Sequence, residues 1–242
     1  MAAMATASDD PRANRLLAAL APEDLRHLEP HLRAVELRQG EALLEAGEEA
    51  RHVWFPHDCV VSLVSFLEDG RTAETGTIGR EGVVGFVSAL GGRRAVVHAI
   101  VQIPGTAARV ERTRFKAAFD ARPALRELCL RHAGALIAQV LQSVACNAYH
   151  PVEARLARWL LALQDRARRD ELHLTHEFLA GMLGVQRSTV TEAVQTLQGA
   201  GLIARRRGAV AILDRAGLEA TSCECYAVVR AQFERLVPGA FG

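Results

Sequence analysis

The chain has 242 residues, of which 50% are apolar and 24% charged. That leaves room for one large or two modest globular domains and excludes collagen-like, mucin-like and broadly disordered chains. Its 29 Lys and Arg stand against 28 Asp and Glu, a net charge of +1, so a nucleic-acid or membrane partner must be met by local rather than global charge.

Lys116 is the only lysine, and it lies outside any G-x-x-x-x-G-K run, which excludes the phosphate loop of nucleoside triphosphatases. No run of about 18 uncharged apolar residues is present, and MAAMATASDDPRANRLL reaches Asp and Arg before a signal core can form. A cytoplasmic protein with no membrane partner is therefore expected. Five cysteines, Cys59, Cys129, Cys146, Cys223 and Cys225, are an odd, scattered set that fits reduced thiols. Cys223-Glu-Cys225 has no second pair and no histidine near it in the chain, so no metal site is expected.

From Ala13 to Leu32, Leu16, Leu17, Leu20, Leu25, Leu28 and Leu32 recur at helical spacing, with Pro22 suited to the first turn of a second helix. Between Ala34 and Ala108 the period changes. VEL, VWF, VVSLVSF, TAETGTI, VVGFV, AVVHAIVQI and TAARV are short β-rich runs punctuated by glycines, and they predict a compact antiparallel barrel or roll.

One uninterrupted helix is predicted from Pro123 to Tyr149, about 40 Å long. Leu130, Ile137, Leu141 and Val144 form one apolar stripe on it, and Leu125, Cys129, Leu136 and Val140 form another. Both faces fit intramolecular core; the favoured reading gives one to its own domain and the other to a twofold seam in a homodimer, with Gly134 and Ala135 allowing close approach of the partner backbone. His150-Pro151 ends the helix, and Val152 to Arg166 forms the next one. The expected divisions are 13–122 for the roll, 123–150 for the dimerisation helix and hinge, and 151–242 for a C-terminal domain. The last has 12 arginines against 10 acids.

Residues 175 to 213 carry the functional signal. Thr175 caps a helix with Glu177 in its first turn and Phe178, Leu179, Met182 and Leu183 on its apolar side, and Gly184 stops it. A second helix, from about Arg187 to Gln198, buries Val190, Val194 and Leu197. Two helices joined by a glycine turn form a helix-turn-helix, and the hairpin after Gly201 adds a wing bearing Arg205, Arg206 and Arg207. Arg187 can pair with the O6 and N7 edge of guanine and Glu192 can accept from a cytosine amino group. Gln186, Ser188 and Thr191 are short donors to bases or phosphates, Thr175 at the start of the first helix is counted with them as a DNA contact, and the wing arginines can neutralise phosphates. Singly, each of these residues also fits a solvated helix face. The spaced segment as a whole predicts binding to double-stranded DNA.

The chain resembles the Crp/Fnr superfamily of bacterial transcription regulators over residues 15 to 215. The likeness is most specific in LTHEFLAGMLGVQRSTVTEAVQTLQGAGLI, and it extends to LRQGEALLEAGE, VVSLVSFLEDG and IGREGVVGF. It implies an α+β protein: an N-terminal antiparallel β-roll of the cyclic-nucleotide-binding type (double-stranded β-helix-like), a long dimerisation helix and a C-terminal winged helix-turn-helix. By motif position it places Arg187, Ser188 and Glu192 at base-reading sites and Gln186 and Thr189 at sites that touch the DNA backbone.

The effector pocket departs from the family pattern. Nucleotide-binding members carry Gly-Glu and, about ten residues later, Arg-Ser. Here Gly85 precedes Phe86, and Arg93-Arg94 precedes Ala95. Glu81 is too far from Arg93 to substitute, and both arginines read as exposed loop charges. The N-terminal cysteine cluster of iron-sulfur members is also missing. Cyclic AMP is thus not expected as effector, and no cofactor is implied.

The leading reading is a homodimeric, sequence-specific regulator on palindromic sites, with RNA polymerase a compatible partner. The alternatives are a cyclic-nucleotide-responsive regulator and a metal-dependent small-barrel enzyme fused to a DNA-binding domain. The enzyme needs His-x-His with a downstream Glu, whereas His27, His31, His52, His57 and His98 scatter and no G-x-S-x-G or H-E-x-x-H occurs. An enzyme is therefore not expected.

Overall fold

The computed structural model describes residues 10–241. Asn14 organises the N-terminus. Its side-chain oxygen caps α1 (Arg15–Ala18) by accepting from the Leu17 amide, while its amide donates to the carbonyls of Pro56 and Gly82, each at 2.9 Å. α2 (Pro22–Leu25) follows, with Pro22 in its first turn.

Seven strands build the roll: β1 (Arg33–Leu37), β2 (Ala42–Leu44), β3 (His52–Pro56), β4 (Val60–Phe66), β5 (Thr72–Ile78), β6 (His98–Ile103) and β7 (Gly105–Glu111). They form two antiparallel sheets, ordered β1-β7-β3 and β2-β6-β4-β5. The run VVGFV is not a strand. Val84 makes a single bridge to Trp54, Gly85 then takes φ +86°, and Phe86 starts α3 (Phe86–Leu90). A positive φ at glycine turns the chain out of the sheet direction, which the apolar run alone does not reveal.

α4 (Arg112–Ala121) leads into α5 (Pro123–Tyr149), which begins at a proline and ends before Pro151. α5 does carry two faces. Leu125, Cys129, His132, Ala135, Gln139, Ser143 and Cys146 are buried at successive helical turns, and Leu136 and Val140 lie over Gly76 of β5. Leu130, Ile137, Leu141 and Val144 stand on the other face, each 59–66% exposed.

The expectation for the small residues of α5 is corrected. Ala135 packs with Phe233, Val237 and Ala240, and Gly134 faces Leu236, so these positions accept the chain's own C-terminal helix rather than a partner. Among the described residues α5 is also the one helix long and apolar enough to cross a membrane by length and composition. Its apolarity is accounted for by these faces, and Gln139, Gln142, Ser143 and Asn147 interrupt it.

The C-terminal part comprises α6 (Val152–Ala167), β8 (Glu171–Leu172), α7 (His176–Leu183), α8 (Arg187–Gly199), β9 (Ile203–Arg206), β10 (Ala209–Ile212), α9 (Arg215–Thr221) and α10 (Cys225–Leu236). β8 joins the wing as a third strand, in the order β8-β10-β9. The winged unit packs on the roll. Val60, Val64 and Ile103 enter one core with Leu156, Trp159, Leu160, Leu163 and Leu179, and Trp159 Nε1 donates to the half-buried Glu74 at 2.9 Å. Gly181 lets α7 lie against Thr72 of β5, where a Cβ would meet the Thr72 hydroxyl. α10 leaves the winged unit and runs back along α5.

Candidate nucleic-acid interface

α7 and α8 begin and end where the side chains dictate. Thr175 Oγ1 accepts from the Phe178 amide at 3.1 Å, and Gly184 ends α7 in the left-handed region at φ +63°. The buried Arg155 of α6 donates to the Leu183 carbonyl, satisfying a group at that helix end. α8 turns Val190, Ala193, Val194 and Leu197 into the core, which leaves Gln186, Arg187, Ser188 and Glu192 exposed and Thr189 half-buried. Gln195 continues the exposed stripe one turn beyond Glu192. The same i, i+4, i+7 spacing that joins Ser188 and Glu192 reaches it.

Two of the expected contact residues are engaged within the protein. Thr191 Oγ1 donates to the Arg187 carbonyl at 3.0 Å and lies 3.0 Å from His176 Nδ1, so its hydroxyl links the two helices rather than facing outward. Thr175 is occupied as a cap. His176 is a residue the sequence reading missed. Burial, then the charges of Arg205 and Arg187, lower its pKa, which sets wing, recognition helix and α7 in one positive neighbourhood.

In the wing, Arg206 pairs with Ala209 and Arg205 with Val210 across the hairpin, and Gly208 turns the tip at φ +71°. Arg205, Arg206 and Arg207 are exposed. Arg206 also pairs with Glu171 of β8 at 3.0 Å, which ties part of its charge to the protein.

The roll shows what fills the positions of the departed effector motif. Phe86 is buried among Leu16, Leu17, Val53, Phe115 and Leu125, and Ala95 is buried beside Leu44 and Ala50. Arg93 and Arg94 are exposed, and Arg94 donates to the Gly47 carbonyl at 2.6 Å. Glu81 is fully buried against Arg166 of α6, with Nε–Oε1 at 2.7 Å. It serves the contact between the two units.

Cys223 and Cys225, which have no further cysteine or histidine close by in the chain, gain one of each in space. Cys146 and His150, at the end of α5, meet them in space, and the four potential ligand atoms lie within 4.8 Å of one another. Cys146 and Cys223 are 77 positions apart in the chain, so no local spacing displays the cluster.

A β-roll, a long connecting helix and a winged helix-turn-helix with an outward polar face define a DNA-binding transcription regulator with a sensor-like domain. The family comparisons agree. Residues 34–122 match the cyclic nucleotide-binding domain and residues 154–221 the Crp-like helix-turn-helix domain.

Among solved structures, the chain is similar to a putative transcriptional regulator of the Crp/Fnr family from Eubacterium rectale. That likeness has a TM-score of 0.68 at 16% identity and covers 87% of this chain and 98% of the other. A CRP-family transcriptional regulator from Thermus thermophilus gives a TM-score of 0.66 at 24% identity, covering 78% and 96%. FixK2 from Bradyrhizobium japonicum gives 0.67 at 17%, covering 79% and 98%. No curated protein matches the chain. The chain belongs to the Crp/Fnr superfamily.

Proposed function

We propose that the protein acts as a homodimer that binds inverted-repeat DNA through α8, with Arg187, Ser188 and Glu192 reading bases. Gln186 and Thr189 contact the DNA backbone, and Arg205 and Arg207 hold phosphates beside the recognition helix. In this reading 13–122 is the sensor-like unit, 123–150 the dimer seam and hinge, and 151–242 the DNA-binding unit. The observation that carries it is the division of α8 into a buried face of Val190, Ala193, Val194 and Leu197 and an exposed face of Arg187, Ser188 and Glu192. Half-site centres one helical turn apart, about 34 Å, suit one recognition helix per subunit. Cyclic AMP is not the effector in this proposal, because a buried phenyl ring and a methyl group stand where charge-assisted hydrogen bonds to ribose and phosphate would be needed.

Arg187→Ala tests the assignment. On a selected palindrome it is expected to cost about 1–3 kcal/mol while leaving affinity for random duplex nearly unchanged. An equal loss on both duplexes makes Arg187 a phosphate contact and overturns the assigned reading face. Calorimetric titration with cyclic AMP is expected to give no stoichiometric binding in the micromolar range.

A further inference from the structure

Three of the five cysteines and one histidine converge at the junction of the long helix with the C-terminal segment. Cys146 and His150 are one turn apart at the end of α5, and Cys223 and Cys225 flank Glu224 at the start of α10. The three cysteines are buried and His150 is partly so. Cys146 Sγ lies 3.5 Å from Cys223 Sγ, and Cys225 Sγ lies 3.5 Å from His150 Nδ1. A tetrahedral zinc ion with sulfur at about 2.3 Å and nitrogen at about 2.0–2.1 Å separates its ligand atoms by roughly 3.5–3.8 Å. The two measured edges match that size.

The surroundings are those of a metal site as well. His150 presents Nδ1 to the cluster while Nε2 lies 3.2 Å from the Glu224 carboxylate, the carboxylate–histidine arrangement that fixes the tautomer of a metal-bound imidazole. Gln142 Nε2 donates to Cys225 Sγ at 3.0 Å. Cys59 and Cys129, in apolar surroundings, are pushed up to about 12 by burial.

We propose that Cys146, His150, Cys223 and Cys225 form a closed, four-coordinate zinc(II) site that fastens the C-terminal segment to the end of the long helix, next to the Pro151 hinge. Four protein ligands leave no open position, which makes the site structural rather than catalytic. A Cys146–Cys223 disulfide would leave Cys225 and His150 without a role. A polynuclear iron-sulfur cluster sets its ligands on separate irons, farther apart than atoms that all lie within 4.8 Å. The thiols bind as thiolates, so loading releases protons and weakens as pH falls. The site stands independently of how the protein reads DNA.

The test uses the full chain without a histidine tag, isolated anaerobically under reductant. Elemental analysis is expected to give about one zinc per chain, and X-ray absorption a shell of three sulfurs near 2.3 Å and one nitrogen. Replacing zinc by cobalt(II) should produce intense thiolate-to-cobalt charge-transfer absorption. Cys223→Ser and Cys225→Ser should lose the metal, while Cys59→Ala keeps it. Because absorption and metal content are read on the wild-type chain, a variant that fails to fold does not decide the matter. Protein that holds no zinc and cannot be loaded with it overturns the proposal. So does a shell of only nitrogen and oxygen, iron with acid-labile sulfide, or a Cys146–Cys223 disulfide in freshly isolated protein.

Discussion

Arg166 and Glu81 meet with their side chains 2% and 0% exposed, and the Arg166 guanidinium also lies 5.5 Å and 5.3 Å from the ring centres of Phe233 and Phe241. A buried charge that loses its partner is costly, whereas a pair replaced by apolar groups is often nearly neutral. Arg166→Leu is therefore expected to destabilise the protein by about 3–5 kcal/mol, and the double variant Glu81→Leu, Arg166→Leu to recover most of that. Urea unfolding of the three proteins measures it; equal losses in single and double variants would contradict the pairing. His132, fully buried beside this pair, accepts from the Val83 amide through Nε2. Burial pulls it down to about 4 from 6.5. The unfolded chain then binds more protons than the folded one between these values, so stability is complete above about 6.5 and falls as pH drops toward 4, by up to about 1.4 kcal/mol per pH unit. Unfolding of His132→Gln across this range should show a flatter pH dependence than wild type; an unchanged slope would mean that His132 does not supply it.

At the scale of elements, the recognition helix was the most legible part of the sequence. Val190, Val194 and Leu197 give the inward period and Gly184 the left-handed stop, both local properties of the backbone and its pattern. The wing was legible through its turn, yet the role of each arginine was not. Glu171, which holds Arg206, belongs to a two-residue strand that exists only because β10 is there to pair with it. Arg207→Ala, at the exposed tip, is accordingly expected to weaken binding to all duplexes alike and to reduce the salt slope by about 0.9, one phosphate contact. Binding measured on palindrome and random DNA at several salt concentrations checks this. A loss confined to the palindrome would make Arg207 a base contact. α3 was misread as strand because Val83, Val84 and Phe86 are β-formers, and the glycine between them decides the direction only once its φ is positive.

At the scale of the molecule, the stripe of Leu130, Ile137, Leu141 and Val144 lies on the open side of α5 while α10 and β5 cover other sides. A contiguous apolar stripe of this kind marks an interaction surface. Ile137→Asp with Leu141→Asp is expected to give a folded monomer with much reduced DNA affinity, since the replaced side chains contribute little to the subunit's own core. Light scattering and circular dichroism together check it, and a wild-type monomer at micromolar concentration, with or without DNA, would refute the dimer. The sequence by itself determined the order of units, the helix-turn-helix with its exposed polar face, and the two-faced character of α5, because periodicity, caps and turn glycines act over a few residues. Tertiary structure alone decided that Gly134 and Ala135 receive α10, that Glu81 pairs with Arg166, and that Cys146 and His150 join Cys223 and Cys225. Each of these brings together residues more than 70 positions apart, apart from the Cys146–His150 and Cys223–Cys225 neighbours within the cluster. Such contacts are selected by the packing of whole elements, and no local pattern in the chain records them.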